Sequence, residues 1–153
     1  MVDLNQNLSK NFLLRELLVS QTAVRKEIKE QFEPSELVVK NLTALCVNVL
    51  QPLREQLRLS INVTSGYRCE KVNLAIGGVA KSQHQFGEAA DINVPGKTIE
   101  WLYQKIKQSD LPFDQLIQEF DNWVHVSYKT KGNRRQTLRA TKQNKKTVYT
   151  PDK

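Results

Sequence analysis

The chain has 153 residues, of which 39% are hydrophobic and 25% are charged, and this length suits a single globular domain with a core of ordinary size. Six glycines and five prolines argue against a disordered chain or a repeat array, and no apolar run approaches the roughly 20 residues of a membrane-spanning helix. The formal net charge of +7 is a C-terminal property: residues 129–153 hold nine Lys and Arg against one acid, whereas residues 1–128 hold 14 against 15.

Helical periodicity marks the first third of the chain. Apolar residues recur at helical spacing through residues 8–32, which predicts short amphipathic helices before the break at Glu33-Pro34-Ser35. From Ser35 a longer helix is predicted, with one apolar face formed by Val38, Leu42, Leu45, Val49 and Leu53. Pro52 is expected to kink or end this helix, because proline lacks the backbone donor and clashes with the preceding turn. Residues 1–58 are therefore interpreted as a helical scaffold.

Strand-like segments dominate the rest of the chain. Strands are predicted at residues 59–64, 89–94, 113–119, 123–128, 135–141 and 146–149. Short helices are predicted from Glu70 to Ile76 and from an N-cap at Thr98 to about Gln108. The last four strands form two predicted hairpins, which turn around residues 120–122 and at Gln143-Asn144.

Both histidines lie near carboxylates in strand-like surroundings. Asp91 interrupts the apolar run of residues 89–94, and a buried carboxylate requires a cationic partner, which is an arginine or a metal ion. His84 precedes it by seven residues, and His125 lies in the apolar segment 123–128. Each histidine taken alone is more often an ordinary core or surface residue. Together with Asp91 on neighbouring strands, they predict a zinc site with three protein ligands and an open fourth position.

The motifs around these residues resemble those of the D-alanyl-D-alanine carboxypeptidase-type zinc peptidases, and more narrowly the small phage-type members that cleave peptidoglycan stem peptides. The residues that carry the resemblance are Ser65-Gly66-Tyr67-Arg68, Val72-Asn73, Gly77-Gly78, Ser82-Gln83-His84, Gly87, Ala89, Asp91 and Trp123-Val124-His125-Val126-Ser127. The resemblance covers nearly the whole chain. It implies an α+β fold in which N-terminal helices pack on a small antiparallel sheet, as in the hedgehog signalling domain, and one catalytic Zn²⁺ held by His84, Asp91 and His125.

The resemblance also implies a single zinc peptidase domain over residues 1–153. Within it, residues 1–58 are the helical scaffold, residues 59–128 the catalytic core and residues 129–153 a basic C-terminal hairpin. The implied reaction is hydrolysis of an amide bond in a peptidoglycan stem peptide, in phage-type lysis or wall remodelling. Two bonds stay open, because the sequence does not separate a D-Ala-D-Ala carboxypeptidase from an L-alanyl-D-glutamate endopeptidase.

The sequence indicates the general base less clearly than the metal ligands. Many members of the family place an acid three residues before the last histidine ligand, where this chain has Asn122. Glu119, six residues before His125, matches the acid of the hedgehog-like members instead. If Asn122 is the midpoint of the hairpin, Glu119 also lies opposite His125 on the same face. Glu119 is therefore the expected base, with Asp121 as the fallback; the plainer alternative is a solvated acid at a strand end.

Four further residues are candidates for substrate binding. Arg68 has the planar guanidinium that can bind a substrate carboxylate through two hydrogen bonds, or it forms a structural salt bridge with Asp91 or Glu70. Ser82 is expected to hydrogen-bond to the substrate backbone or to cap a turn. Tyr67 and Trp123 are expected to line the cleft, and the alternative for both is a place in the core.

Partners and location are expectations from charge and from the N-terminus. The basic segment 129–153 fits an anionic wall polymer, whereas no helix-turn-helix or zinc-finger spacing supports nucleic-acid binding. A monomer is expected. The polar N-terminus has no apolar signal region, which indicates synthesis in the cytoplasm and action on the cell wall after release, or in association with a virion. The rival hypothesis for function is a non-catalytic, zinc-stabilised module that binds the wall or is part of a virion.

Overall fold

After a short pair of strands, helices predominate in the first third of the chain and strands predominate later in the computed structural model, which describes residues 2–153. The helices are α1 (Gln21–Arg25), α2 (Glu36–Leu45), α3 (Gln51–Leu57), α4 (Glu70–Ala75) and α5 (Ile99–Lys107). Short 3₁₀ turns cover Leu14–Leu17, Lys29–Phe32 and Gln83–Phe86, and a π-helical segment covers Cys46–Leu50. The strands are β1 (Asn7–Ser9), β2 (Phe12–Leu13), β3 (Asn62–Ser65), β4 (Ala89–Asn93), β5 (Gln115–Glu119), β6 (Trp123–Ser127), β7 (Gln136–Gln143) and β8 (Lys146–Pro151).

The beginning of the chain differs from the sequence prediction. Residues 8–32 were expected to form short helices, but β1 and β2 pair with each other before the first 3₁₀ turn. A distant side chain holds this small ladder: Gln51 Oε1 accepts hydrogen bonds from Ser9 Oγ and from the Asn11 backbone N–H, both at 2.8 Å. Local periodicity cannot reveal such a partner, since it lies about forty residues away.

Pro52 does not end the long helix. The helical path continues from α2 through the π-helical segment into α3, where Pro52 lies in the first turn. In that position a missing backbone N–H is tolerated. The wider turn just before it closes with a bond from the Gln51 N–H to the Cys46 carbonyl. The long helix therefore accommodates Pro52 through one π-helical segment and does not break.

Six strands form the main sheet in the order β3-β4-β6-β5-β7-β8. All neighbouring pairs are antiparallel except β5 and β7, which are parallel. The predicted α+β class is confirmed, and the sheet is mixed where a purely antiparallel one was expected. The loop before β7 is fixed by Arg134, which donates three hydrogen bonds of 2.8–3.1 Å to the fully buried carboxylate of Asp114, the residue before β5.

The two faces of the main sheet differ in what they contact. One face packs against α5 and the long helix, and buries the apolar residues Ala90, Ile92, Leu116, Val124 and Val126. Helix α5 begins where the sequence predicts, since Thr98 Oγ accepts a hydrogen bond from the Trp101 N–H at 3.0 Å. Side chains alternate along a strand, so the residues between these apolar positions lie on the opposite face. That opposite face carries Asp91 and His125.

The C-terminal hairpin is part of this sheet. Its strands β7 and β8 are joined through Asn144 and Lys145, both with positive φ, one residue later than the predicted turn. Arg139 anchors the hairpin to α5, because it forms salt bridges with Glu100 at 2.8 Å and with Asp152 at 2.9 Å. Within residues 2–153, no helix is both long and apolar enough to cross a membrane.

Candidate metal centre and cleft

Two paired strands and one turn bring the three predicted ligands together. Asp91 on β4 and His125 on β6 are directly paired across the antiparallel ladder. His84 lies in the 3₁₀ turn just before β4, and Ser82 Oγ caps this turn by accepting the His84 N–H at 3.2 Å. All three ligand side chains are buried, and their donor atoms lie within 4.8 Å of one another.

The spacing of the donor atoms suits a tetrahedral ion. Asp91 Oδ1 lies 3.3 Å from His84 Nε2 and 3.2 Å from His125 Nδ1. Ligands at the usual zinc distance of about 2.0–2.1 Å in tetrahedral geometry are separated by about 3.3 Å. Two imidazoles and one carboxylate are also a donor set that zinc accepts. The residues present therefore fit a zinc ion with three protein ligands.

The other ring nitrogen of His84 has a fixed partner. Nδ1 lies 2.7 Å from the carbonyl oxygen of Gly66. A carbonyl can only accept, so Nδ1 carries the proton and donates, which leaves the lone pair of Nε2 for a metal ion. Gly66 can approach this closely only as glycine: an added Cβ would lie 2.3 Å from the backbone oxygen of Leu17. Through the carbonyl of Gly66, the Ser-Gly-Tyr-Arg motif thus orients a predicted metal ligand.

Electrostatics favour an ionised carboxylate at Asp91. Burial alone would raise the pKa of this carboxyl, but the two imidazoles and their hydrogen bonds hold it well below its usual value. Arg68 Nη2 lies 3.2 Å from Asp91 Oδ2, and Arg68 Nε donates to Ser65 Oγ at 3.0 Å. For Arg68 the structure therefore contains the salt bridge that the sequence left open. Burial lowers the pKa of His84, which favours its neutral, metal-binding form.

Glu119 lies on the same sheet face as the ligands. The hairpin midpoint is Asp121, not Asn122, so Glu119 pairs with Trp123 while Ile117 pairs with His125. This shift by two positions keeps Glu119 on the ligand face, diagonal to His125 instead of opposite it. Burial raises the pKa of Glu119 above its usual value, the charge of Asp91 adds to this, and His125 opposes it.

Asp121, the fallback base, lies elsewhere. Its carboxylate accepts a hydrogen bond from Gln118 Nε2, and Gln118 also bonds to Glu100 of helix α5. Gln118 points to the helix side of the sheet, and Asp121 borders a separate depression next to Thr98 and Glu100. The geometry therefore favours Glu119 over Asp121 as the acid next to the ligands.

An open cleft covers the ligand face. It is lined by the three ligands together with Arg68, Ser82, Glu119 and Trp123. Trp123 packs edge-on against Phe120 with ring centroids 6.1 Å apart, and its buried Nε1 has no hydrogen-bond acceptor within residues 2–153. Tyr67 differs from the expectation, because its half-buried ring packs against the core residues Ala23 and Val72 and does not line the cleft.

The cleft also includes residues that the sequence analysis did not connect with the site. One side is the loop Ile76–Lys81. The other side is the C-terminal hairpin with the loop before it, which contributes Arg134, Gln136, Leu138, Thr147, Tyr149 and Pro151. The sequence shows most of these positions only as alternating residues near a predicted strand. Their place in the cleft depends on the pairing of β7 with β5, which no local signal predicts.

Three buried zinc-type ligands on the wall of an open cleft, with an acid beside them, define a catalytic metal site of the metallohydrolase class. The chain belongs to the peptidase M15 family: the family model matches residues 10–127, more than three quarters of the sequence. The resemblance to D-alanyl-D-alanine carboxypeptidase-type zinc peptidases is thereby confirmed. The protein is a metallopeptidase, and membership implies zinc-dependent peptide hydrolysis. A comparison with curated proteins finds no match.

Proposed function

We propose that the protein hydrolyses an amide bond in peptidoglycan stem peptides, with His84, Asp91 and His125 as the zinc ligands and Glu119 as the general base. One observation carries the proposal. The three donor groups converge with zinc-like spacing, and they share both their sheet face and their cleft with Glu119. A bound Zn²⁺ lowers the pKa of water and polarises the scissile carbonyl.

Glu119 moves the protons in this proposal. Its carboxylate accepts a proton from the attacking water and returns it to the leaving amine. Burial raises the pKa of this acid, which brings it closer to neutral pH and so makes the return of the proton easier. Asp91 is already held by Arg68 and by both imidazoles, and it is not free to act as the base.

The charges of the cleft support an anionic peptide as the substrate. Arg68, Lys81 and Arg134 all line it. Arg134 binds Asp114 through Nε and Nη2, which leaves Nη1 for another acceptor. Stem peptides carry free carboxylates, and a guanidinium binds these well. A cation that binds a free C-terminus favours the D-Ala-D-Ala carboxypeptidase reaction, whereas one that binds a D-glutamate side chain favours the L-alanyl-D-glutamate endopeptidase reaction.

The basic C-terminal segment extends the proposal to the wall polymer. Lys142, Lys145 and Lys146 are exposed near the tip of the β7-β8 hairpin, beside the cleft. Such a cluster fits an anionic wall polymer, which would hold the enzyme near its substrate after release from the cytoplasm or from a virion. Co-sedimentation with purified walls at increasing salt tests this part, and binding that does not weaken with salt would contradict it.

The test of the reaction compares Glu119→Gln with wild type on purified muropeptides, with product masses read by mass spectrometry. Removal of the general base is expected to lower kcat by about 100-fold or more, while the zinc content stays near one ion per chain. Asp121→Asn is the matched control, since it removes an acid from the same hairpin on the other face. The product masses also show which bond is cleaved.

Two other outcomes would lead to different conclusions about the reaction. Full activity of Glu119→Gln together with loss of activity in Asp121→Asn would transfer the base to Asp121. A zinc-loaded wild type that binds muropeptides but cleaves none would support the rival hypothesis of a non-catalytic, zinc-stabilised module.

A further inference from the structure

The C-terminal hairpin is a wall of the cleft, although it lies outside the residues matched by the family model, which end at residue 127. Its strands extend the ligand face beyond β5. One row of paired positions runs through His125, Ile117, Leu138 and Pro151. The adjacent row runs through Trp123, Glu119, Ala140 and Tyr149. Tyr149 therefore belongs to the same transverse row as the proposed base.

Only a small side chain separates Glu119 from Tyr149. Ala140 lies between them on β7 and is 2% exposed. Two strand spacings put the Cα atoms of Glu119 and Tyr149 roughly 10 Å apart. Because alanine is small, the tyrosine ring has room over Ala140 on the cleft side. Tyr149 is 49% exposed and lines the cleft.

The phenol of Tyr149 is available to a ligand. Within residues 2–153 no side chain hydrogen-bonds to it, whereas the neighbouring Lys142 ammonium donates to Thr147 Oγ1 at 2.9 Å. Partial burial raises the pKa of Tyr149, and the negative charges of Glu119 and Asp91 raise it further. The phenol therefore stays protonated at neutral pH and can donate a hydrogen bond to a carbonyl or carboxylate oxygen.

The hairpin that carries Tyr149 is held in place at both ends. Near the open end, Arg139 bridges Glu100 and Asp152 and lies over the ring of Tyr103. Near the tip, the Lys142 ammonium lies 5.2 Å from the centre of the Phe120 ring, in the turn between β5 and β6. A residue on such a support has a fixed position, which is what a substrate-binding group needs.

We propose that Tyr149 is a further substrate-binding residue of this active site, and that its phenol donates a hydrogen bond to an oxygen of the peptide between Glu119 and the hairpin. This inference rests on the proposed function. It predicts a role in substrate affinity, because the phenol contacts bound substrate and takes no part in moving the protons.

The test is Tyr149→Phe, which removes the hydroxyl and keeps the ring. Its KM for a muropeptide is expected to rise about threefold to tenfold with kcat within twofold, as for the loss of one neutral hydrogen bond. The same weakening is expected when calorimetry measures muropeptide binding to the zinc-loaded Glu119→Gln protein with and without Tyr149→Phe. Tyr128→Phe is the control, since Tyr128 packs against the core on the other face.

The outcomes separate this inference from the proposed function. If wild type cleaves muropeptides and Tyr149→Phe has wild-type KM and affinity, the role of Tyr149 is wrong and the peptidase proposal stands. If Tyr149→Phe lowers the unfolding midpoint and leaves affinity unchanged, the phenol is structural and the inference is also wrong. If the zinc-loaded wild type neither binds nor cleaves muropeptides, the proposed function fails, and the role of Tyr149 fails with it.

Discussion

Replacement of Gly66 by alanine tests how the Ser-Gly-Tyr-Arg motif supports the metal centre. The new Cβ would lie 2.3 Å from the carbonyl oxygen of Leu17 and 2.9 Å from its carbonyl carbon. Ordinary contact begins at 3.4 Å, so one of the two segments has to move by about 1 Å. Leu17 is fully buried, and its carbonyl accepts the Tyr67 N–H at 2.8 Å. The chain therefore cannot relax without disturbing the core or this hydrogen bond.

The expected magnitude follows from these two contacts. Overpacking of a dense core costs about 1–3 kcal/mol, and a weakened backbone hydrogen bond adds about 1 kcal/mol. We expect Gly66→Ala to lower the free energy of unfolding by about 2–4 kcal/mol. The carbonyl of Gly66 also holds Nδ1 of His84, and loss of such a partner typically lowers metal affinity by about 10–100-fold.

Two measurements check the prediction. Urea unfolding of the metal-free protein, followed by tryptophan fluorescence, gives the stability, and competition with a chelating dye gives the zinc affinity. Gly96→Ala is the control: its φ of +81° makes alanine costly by about 1–2 kcal/mol, but no atom lies within 4 Å of the added Cβ. Gly96→Ala should keep wild-type zinc affinity. Wild-type stability and zinc affinity in Gly66→Ala would refute the reasoning.

Two further predictions concern the hairpin anchor and the ion. Arg139→Met should lower the free energy of unfolding by about 1 kcal/mol at pH 7, since its salt bridges are partly exposed. The pKa of Glu100 is lowered from 4.5 to about 2, with the hydrogen bond from Arg139 as the largest cause, so this loss should shrink as pH falls through that range in urea titrations; a constant loss would contradict the prediction. Free Zn²⁺ at 100 times its Kd should add about 2.7 kcal/mol, or about 5–10 °C in Tm by calorimetry. A chelator should reverse the shift, and an unchanged Tm would count against a zinc site in the folded protein.

The side of the sheet on which Glu119 lies was predictable, although its partner was not. The hairpin midpoint predicted from the sequence is Asn122, and the structure has Asp121. Moving the midpoint by one residue changes every pairing by two positions, and side chains two positions apart share a face. The prediction that Glu119 shares the face of His125 therefore survives the wrong midpoint.

The three predicted zinc ligands and the start of α5 can be identified from the sequence itself. His84 and His125 are the chain's two histidines, and Asp91 is an acid that interrupts an apolar run. Thr98 is the N-cap of helix α5. Such signals depend on residue type and on neighbours within a few positions, so they can be read before folding.

Tertiary structure alone decided the pairing of β1 with β2 and the place of the C-terminal hairpin. Gln51 holds the first, and the parallel contact of β7 with β5 decides the second and brings Tyr149 into the row of Glu119. The physical reason is that strand partners are chosen by long-range packing and backbone hydrogen bonding. A strand shows in its sequence that one face is apolar, but not which strand will lie beside it.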